Sequence, residues 1–221
     1  MCSSDLLPVP PVHLIQVPET VYIVQRYDRI VLGDTVRCLH QVDGCQLLGL
    51  GQDWKYEHQG LVSLKRIVEA LRGLKLPAKD LLNFQRWVMF NYLIGNSDAH
   101  AKNISVLIDE TGYALAPFYD LMCVQVYGDD RLALFIGDED QFASIGAHSW
   151  EAFCEDCGFG VKPTLTLFRK MANDVAKAWV AVTAQAMADF APSPKEVALI
   201  HAITKVIEAN CLAAISMTAK R

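Results

Sequence analysis

The chain has 221 residues, 52 % hydrophobic and 20 % charged, with a formal net charge of -5 at pH 7. That balance excludes a disordered chain and suits one large globular domain or two small ones, with a real core. No run of Lys or Arg forms a basic stripe, so no direct nucleic-acid contact is expected. No apolar run is expected to reach the length of a membrane helix, and the N-terminal MCSSDLLPVPPVHLIQV lacks the basic region of a signal peptide. No membrane partner is expected. The seven Cys are an odd count without framework spacing, which points to a reducing, cytoplasmic setting. Cys154 and Cys157 have CxxC spacing, but a zinc site needs four ligands and His148 is the only His near them. Two small residues near a helix face is the plainer reading.

In chain order, residues 12–17 (VHLIQV) and 20–27 (TVYIVQRY) read as two strands around Pro18-Glu19, the second rich in β-branched and aromatic residues. From Asp28 to about Gly60 the pattern is irregular, with Gly33, Gly44, Gly49 and Gly51 as breakers. Leu61, Leu64, Ile67, Val68 and Leu71 share one helical face over 61–72. Residues 79–95 are apolar around much of the circumference, which predicts a buried central helix. After the polar run GNSDAHAKN, two β-like stretches flank Asp109-Glu110-Thr111-Gly112 and predict a hairpin. RLALFIG is a further strand. Helices are predicted over roughly 149–157, 163–190 and 194–217, with Pro163, Pro192 and Pro194 as punctuation.

The chemistry concentrates between Gly95 and Asp120. Asp98, His100, Lys102 and Asn103 lie in a short polar loop between a buried helix and a hairpin, where rigid neighbours can mount catalytic groups. Asp120 follows the hairpin, seventeen residues after Asn103. Phosphoryl transfer asks for a carboxylate to orient the attacking hydroxyl and oxygen ligands for magnesium. In protein kinases the catalytic Asp precedes a metal-binding Asn by five positions, and a second metal-binding Asp follows. Asp98, Asn103 and Asp120 reproduce that spacing. Lys102 would neutralise charge on the transferring group, and His100 would hydrogen-bond around Asp98 or the Asp120 loop. Two other readings stand beside this one. The loop also reads as ordinary turn and cap chemistry. Gly95-Asn96-Ser97-Asp98 also loosely matches the Gly-Asn-His-Asp of dinuclear metallophosphoesterases, but none of the upstream His13, His40 and His58 sits in an Asp-x-His element.

GNSDAHAKNISVLI…YALAPFYDLM resembles the core of HipA-type serine/threonine kinases, the toxins of bacterial toxin–antitoxin pairs. VYIVQRYDR (21–29) is similar to that family's hinge segment. RCLHQVDGCQLLGLGQDWKYE (37–57) resembles the linking segment, and residues 132–158 the segment after the metal-binding Asp. The resemblance covers about residues 8–160. It implies an α+β, protein-kinase-like fold with a mostly helical C-terminal lobe, hinge strands and a truncated N-terminal lobe. Residues 1–36 would be the hinge strands, a remnant of the N-terminal lobe, and 37–221 the helical C-terminal lobe with the catalytic loop. By the same resemblance Asp98 is the catalytic base, with His100 and Lys102 beside it. Asn103 and Asp120 hold magnesium, and Gln25, Tyr27 and Gln41 lie near the nucleotide of ATP. The implied partners are a protein substrate and an antitoxin or a complementing N-terminal subunit. Family members carry a phosphate-covering loop and a β-strand Lys ahead of the hinge. In this sequence no Lys precedes Lys55. The isolated chain is therefore expected to be a weak catalyst, and a non-catalytic, partner-binding lobe is the alternative.

Overall fold

The computed structural model describes residues 6–219. Two hairpins open the fold. β1 (Val12–Val17) pairs antiparallel with β2 (Glu19–Val24), and β3 (Arg29–Leu32) with β4 (Thr35–Cys38). Every residue of β1 and β2 is exposed. β2 ends at Val24, so Gln25 and Tyr27 lie beyond the strand, in the link to β3.

Residues 28–60 are more ordered than their glycines suggest. Gly33 adopts φ 59° in the two-residue turn between β3 and β4, a conformation only glycine takes without strain. β5 (His40–Asp43) then joins a three-stranded sheet with the predicted hairpin, β6 (Ser105–Asp109) and β7 (Gly112–Leu115), in the order β5-β6-β7. The register pairs Asp43 with Ser105 and Gln41 with Leu107. A short helix α1 (Gly44–Leu47) follows, capped by the Asp43 carboxylate accepting from Gln46 N–H at 2.9 Å.

The helical lobe holds the core. α2 (Leu64–Gly73) buries Leu64, Ile67, Val68 and Leu71 of the predicted stripe, while Leu61 precedes the helix and is exposed. α3 (Ala78–Ile94) is buried along nearly all of its second half, from Trp87 to Ile94. Beyond it come β8 (Arg131–Ile136), which is paired with β9 (Glu139–Gln141), then α4 (Ala147–Cys157), α5 (Val161–Phe190) and α6 (Pro194–Thr218). Tyr92 of α3 meets Trp150 of α4 and Phe168 of α5, with ring centroids 5.8 and 5.7 Å away. Each fully buried side chain of this size contributes about 1.5–3 kcal/mol. An exposed ion pair such as Lys170–Asp174 contributes about 0–1 kcal/mol, so the ring cluster and not the surface charges holds the lobe together.

α6 begins at Pro194 behind a capping box. Ser193 N–H donates to the Glu196 carboxylate at 2.7 Å, and Glu196 N–H to Ser193 Oγ at 3.4 Å. The expectation that no apolar run reaches membrane length fails here. α6 is long and apolar enough to cross a membrane by length and composition, with a mean hydropathy of 1.5. It nonetheless packs into the lobe: Ile207, Cys211 and Ala214 are buried, and Asn210 Nδ2 donates to the Tyr92 carbonyl of α3 at 3.1 Å.

Cys154 and Cys157 are buried on α4, and burial pushes the Cys157 thiol up to about 12. His148 turns toward Glu139, 3.9 Å away. Among the described residues no group of three His, Cys, Asp or Glu stands ready to hold a metal.

Candidate active site

The loop between α3 and β6 is shaped at both ends by the backbone. Gly95 closes α3 in the left-handed conformation (φ 71°), and a Cβ there would come within 2.6 Å of Val206 Cγ1. At the other end Ala101–Asn103 form one 3-10 turn that feeds directly into β6. α1 lies against this turn. A Cβ on Gly44 would stand 2.5 Å from the Ala101 carbonyl oxygen, so glycine is what allows the approach.

Asn103 is buried and Asp120 exposed, yet their side chains meet: Asn103 Nδ2 donates to Asp120 Oδ2 at 2.9 Å. Asn103 Oδ1 accepts the His100 backbone N–H at 2.9 Å. Asp120 holds φ 60°, uncommon for a residue with a side chain. Asn96 braces it there, its Nδ2 donating to the Asp120 carbonyl at 3.0 Å and to Asn91 Oδ1 at 2.7 Å. Asn91 in turn donates to the Trp87 carbonyl, which links Asp120 to the backbone of α3.

Asp98 is half-buried, and its Oδ1 accepts the Tyr56 hydroxyl at 2.9 Å. The His100 ring lies edge-on to Tyr56 at 5.6 Å. Its pKa is held below the usual imidazole value, first by burial and then by the Lys55 ammonium, against the opposing pull of Asp98 and Asp120. Lys55, Asp98 and Asp120 therefore all act on the His100 ring. The Lys102 side chain is half-exposed, and its carbonyl accepts the Tyr119 hydroxyl at 2.6 Å.

The hinge residues divide. Tyr27 donates to Gln41 Oε1 at 2.9 Å and its ring stacks on Tyr119, next to Asp120, at 6.1 Å. Burial, with Tyr119 adding to it, pushes the Tyr27 phenol up to about 12. Gln25 is exposed, and its backbone N–H donates to the Pro11 carbonyl at 2.9 Å. Tyr56 and Asn96 had no role assigned from sequence. Their partners are 42 and 24 positions away, and no local spacing announces such pairs.

A small strand element, a buried central helix and an Asp/Asn loop before a hairpin define a protein-kinase-like fold. The profile of the HipA-like C-terminal domain matches residues 3–179. The chain belongs to that family. It is 35 % identical over 160 residues to a putative kinase, Y4mE, of Sinorhizobium fredii, which covers 71 % of this chain and 38 % of the relative. It is 32 % identical over 171 residues to the serine/threonine-protein kinase toxin HipA of Shewanella oneidensis, covering 70 % of this chain and 39 % of the relative. The chain thus matches well under half the length of these curated relatives.

Among solved structures, the Shewanella oneidensis HipA in a complex with HipB and its operator DNA superposes with a TM-score of 0.88 at 24 % identity. That match covers 98 % of this chain and 55 % of the other. The Helicobacter pylori proinflammatory kinase CtkA superposes with a TM-score of 0.51 at 11 % identity, over 98 % and 83 %. At these identities the structural matches establish the fold.

Proposed function

We propose that this chain is the catalytic lobe of a HipA-like protein serine/threonine kinase that uses ATP and magnesium. The observation that carries the reading is the 2.9 Å contact between Asn103 and Asp120, which joins the two ends of the β6–β7 hairpin beside the loop bearing Asp98. The donors fit a hard cation. Asp120 offers an exposed carboxylate, and Asn103 Oδ1 has a second lone pair beyond the one His100 N–H uses. Two oxygen ligands suit magnesium, which usually completes its shell with water and nucleotide phosphate. Magnesium bound there neutralises charge on the phosphate oxygens.

The chain's own residues do the rest. Asp98 orients the protein Ser or Thr hydroxyl and takes its proton as the new O–P bond forms and the bond to the departing ADP breaks. Lys102 neutralises charge on the transferring group, and His100 hydrogen-bonds around Asp98 or the Asp120 loop. Tyr27 and Gln41, already joined by a hydrogen bond, lie near the adenine, with Gln25 at its margin. The residues up to 36 serve as hinge and the remainder as C-terminal lobe. The remaining phosphate contacts come from a β-rich segment or subunit laid on the exposed β1–β2 ribbon. An antitoxin-like protein is a second partner, by analogy with the HipB complex. A cytoplasmic setting accords with the described cysteines, which are free thiols.

The exposed ribbon also favours a second reading, a lobe that binds a partner without catalysing transfer. Labelled ATP incubated with the chain and a bacterial extract decides between them. Slow labelling that Asp98→Asn abolishes supports the kinase. Identical labelling in both proteins, with Mg-ATP still bound, favours the binding lobe.

A further inference from the structure

The segment around Lys55-Tyr56-Glu57 runs beside the catalytic loop and grips it at successive points. The Ala101 N–H donates to the Lys55 carbonyl at 3.2 Å. The Tyr56 hydroxyl donates to Asp98 Oδ1, and the Tyr56 ring meets His100 edge-on. The grip is itself anchored. Glu57 accepts the backbone N–H of Phe135 on β8 at 2.6 Å, and Gln59 Oε1 accepts the Tyr56 N–H at 3.1 Å. The Lys55 ammonium lies over the Tyr56 ring, 4.7 Å from its centroid.

We propose that Tyr56 is a positioning residue for the phosphoryl-transfer base. Its phenol pins one oxygen of Asp98 so that the other is aimed at the attacking hydroxyl. The inference rests on the reading of Asp98 as the base. A carboxylate on a short side chain can rotate, and Tyr56 is the only side-chain donor to Asp98 among the described residues. Fixing one oxygen sets the direction of the other. A phenol does this without bringing a full positive charge to the carboxylate, as Arg or Lys would. Glu57 then acts one step further back, fixing the height of Tyr56 against β8. Misplacing a reacting group by about 1 Å costs on the order of a hundredfold in rate, so the anchor has a catalytic consequence although it touches no substrate.

The test uses Tyr56→Phe, which keeps the ring against His100 and deletes only the hydroxyl. The protein is labelled with carbon-13 at the aspartate carboxyl carbons, and the Asp98 resonance is assigned by its loss in Asp98→Asn. The proposal expects the Asp98 resonance to move in Tyr56→Phe and to stay in place in Tyr113→Phe, a distant exposed tyrosine on β7. It also expects kcat to fall roughly tenfold to a hundredfold with KM for ATP nearly unchanged. An unmoved Asp98 resonance in a Tyr56→Phe protein of wild-type melting temperature overturns the proposal. So does a kcat equal to wild type. A moved resonance in a protein that gives no response to Mg-ATP supports the contact and refutes the kinase reading beneath it.

Discussion

Asp120 carries a backbone cost for its place in the site. A non-glycine residue at φ 60° is strained by about 1–3 kcal/mol, and two asparagines offset that strain, Asn96 at its carbonyl and Asn103 at its carboxylate. Asn96→Ala removes the first brace and leaves Asn91 Oδ1 without its donor. Stability should fall by about 1–3 kcal/mol in urea unfolding. An unchanged midpoint would mean that the β6–β7 hairpin alone holds Asp120. Asp120→Asn, in contrast, tolerates the left-handed conformation and should fold as wild type while losing magnesium dependence.

Glu57 makes a second prediction at this scale. Burial raises its carboxyl from 4.5 to about 7, against the opposing Phe135 hydrogen bond. Below about pH 4.5 it is protonated both folded and unfolded. As pH rises through 7 the folded chain must ionise a buried group that water solvates freely in the unfolded chain, so stability is lost. Glu57→Gln should therefore match wild type near pH 4.5 and exceed it at pH 8, by up to roughly 3 kcal/mol. Parallel stability curves across that range would refute the assignment. The meeting of Asn103 and Asp120 was legible because both lie in one stretch of sequence with a recognisable spacing across a hairpin. Tyr56 was not, because its role is set by a fold that brings residues 42 apart together.

Single elements show the same division between local and distant signals. α3, α4, α5 and α6 were readable from apolar period, proline and caps, within about two residues at each end, whereas α2 starts at Leu64, later than the 61 its period suggests. The β3–β4 hairpin was missed although Gly33-Asp34 is a two-residue turn between β-branched runs. Gly33 with the later Gly44, Gly49 and Gly51 made the region read as loop. β5 carries no signal of its own, since it becomes a strand by pairing with β6 some sixty residues later. Between the hairpins, Asp28 is a buried tie. It accepts Arg26 Nε at 2.9 Å and is also bonded by Arg29, while its carbonyl accepts the Leu39 N–H. The Arg26 hydrogen bond, with both guanidinium charges, holds its carboxyl down at about 2. That stability is present above pH 4 and lost as pH falls through 2. Asp28→Asn should cost about 2 kcal/mol at pH 7 and well under about 1 kcal/mol at pH 2, measured by thermal melting across pH. An equal cost at both pH values would point to packing and not charge.

At the scale of the whole molecule, the chain is uneven. The helical lobe is tightly packed, whereas the β1–β2 ribbon shows water eight large apolar side chains, each 41–67 % exposed. Apolar residues on both faces of a ribbon mark a strand pair suited to burial. Replacing Val17 and Tyr22 together by Ser should raise solubility without lowering the melting temperature, because these side chains bury little here. A lowered melting temperature would show that the ribbon is packed after all.

The central claim is that Asn103 and Asp120 hold the magnesium of a bound nucleotide. Calorimetry of ATP binding measures it most directly, on the wild-type chain and on Asp120→Ala, each with and without magnesium. The account predicts weak binding to wild type that depends on magnesium, with that dependence gone in Asp120→Ala. Equal affinity in all four titrations would contradict it.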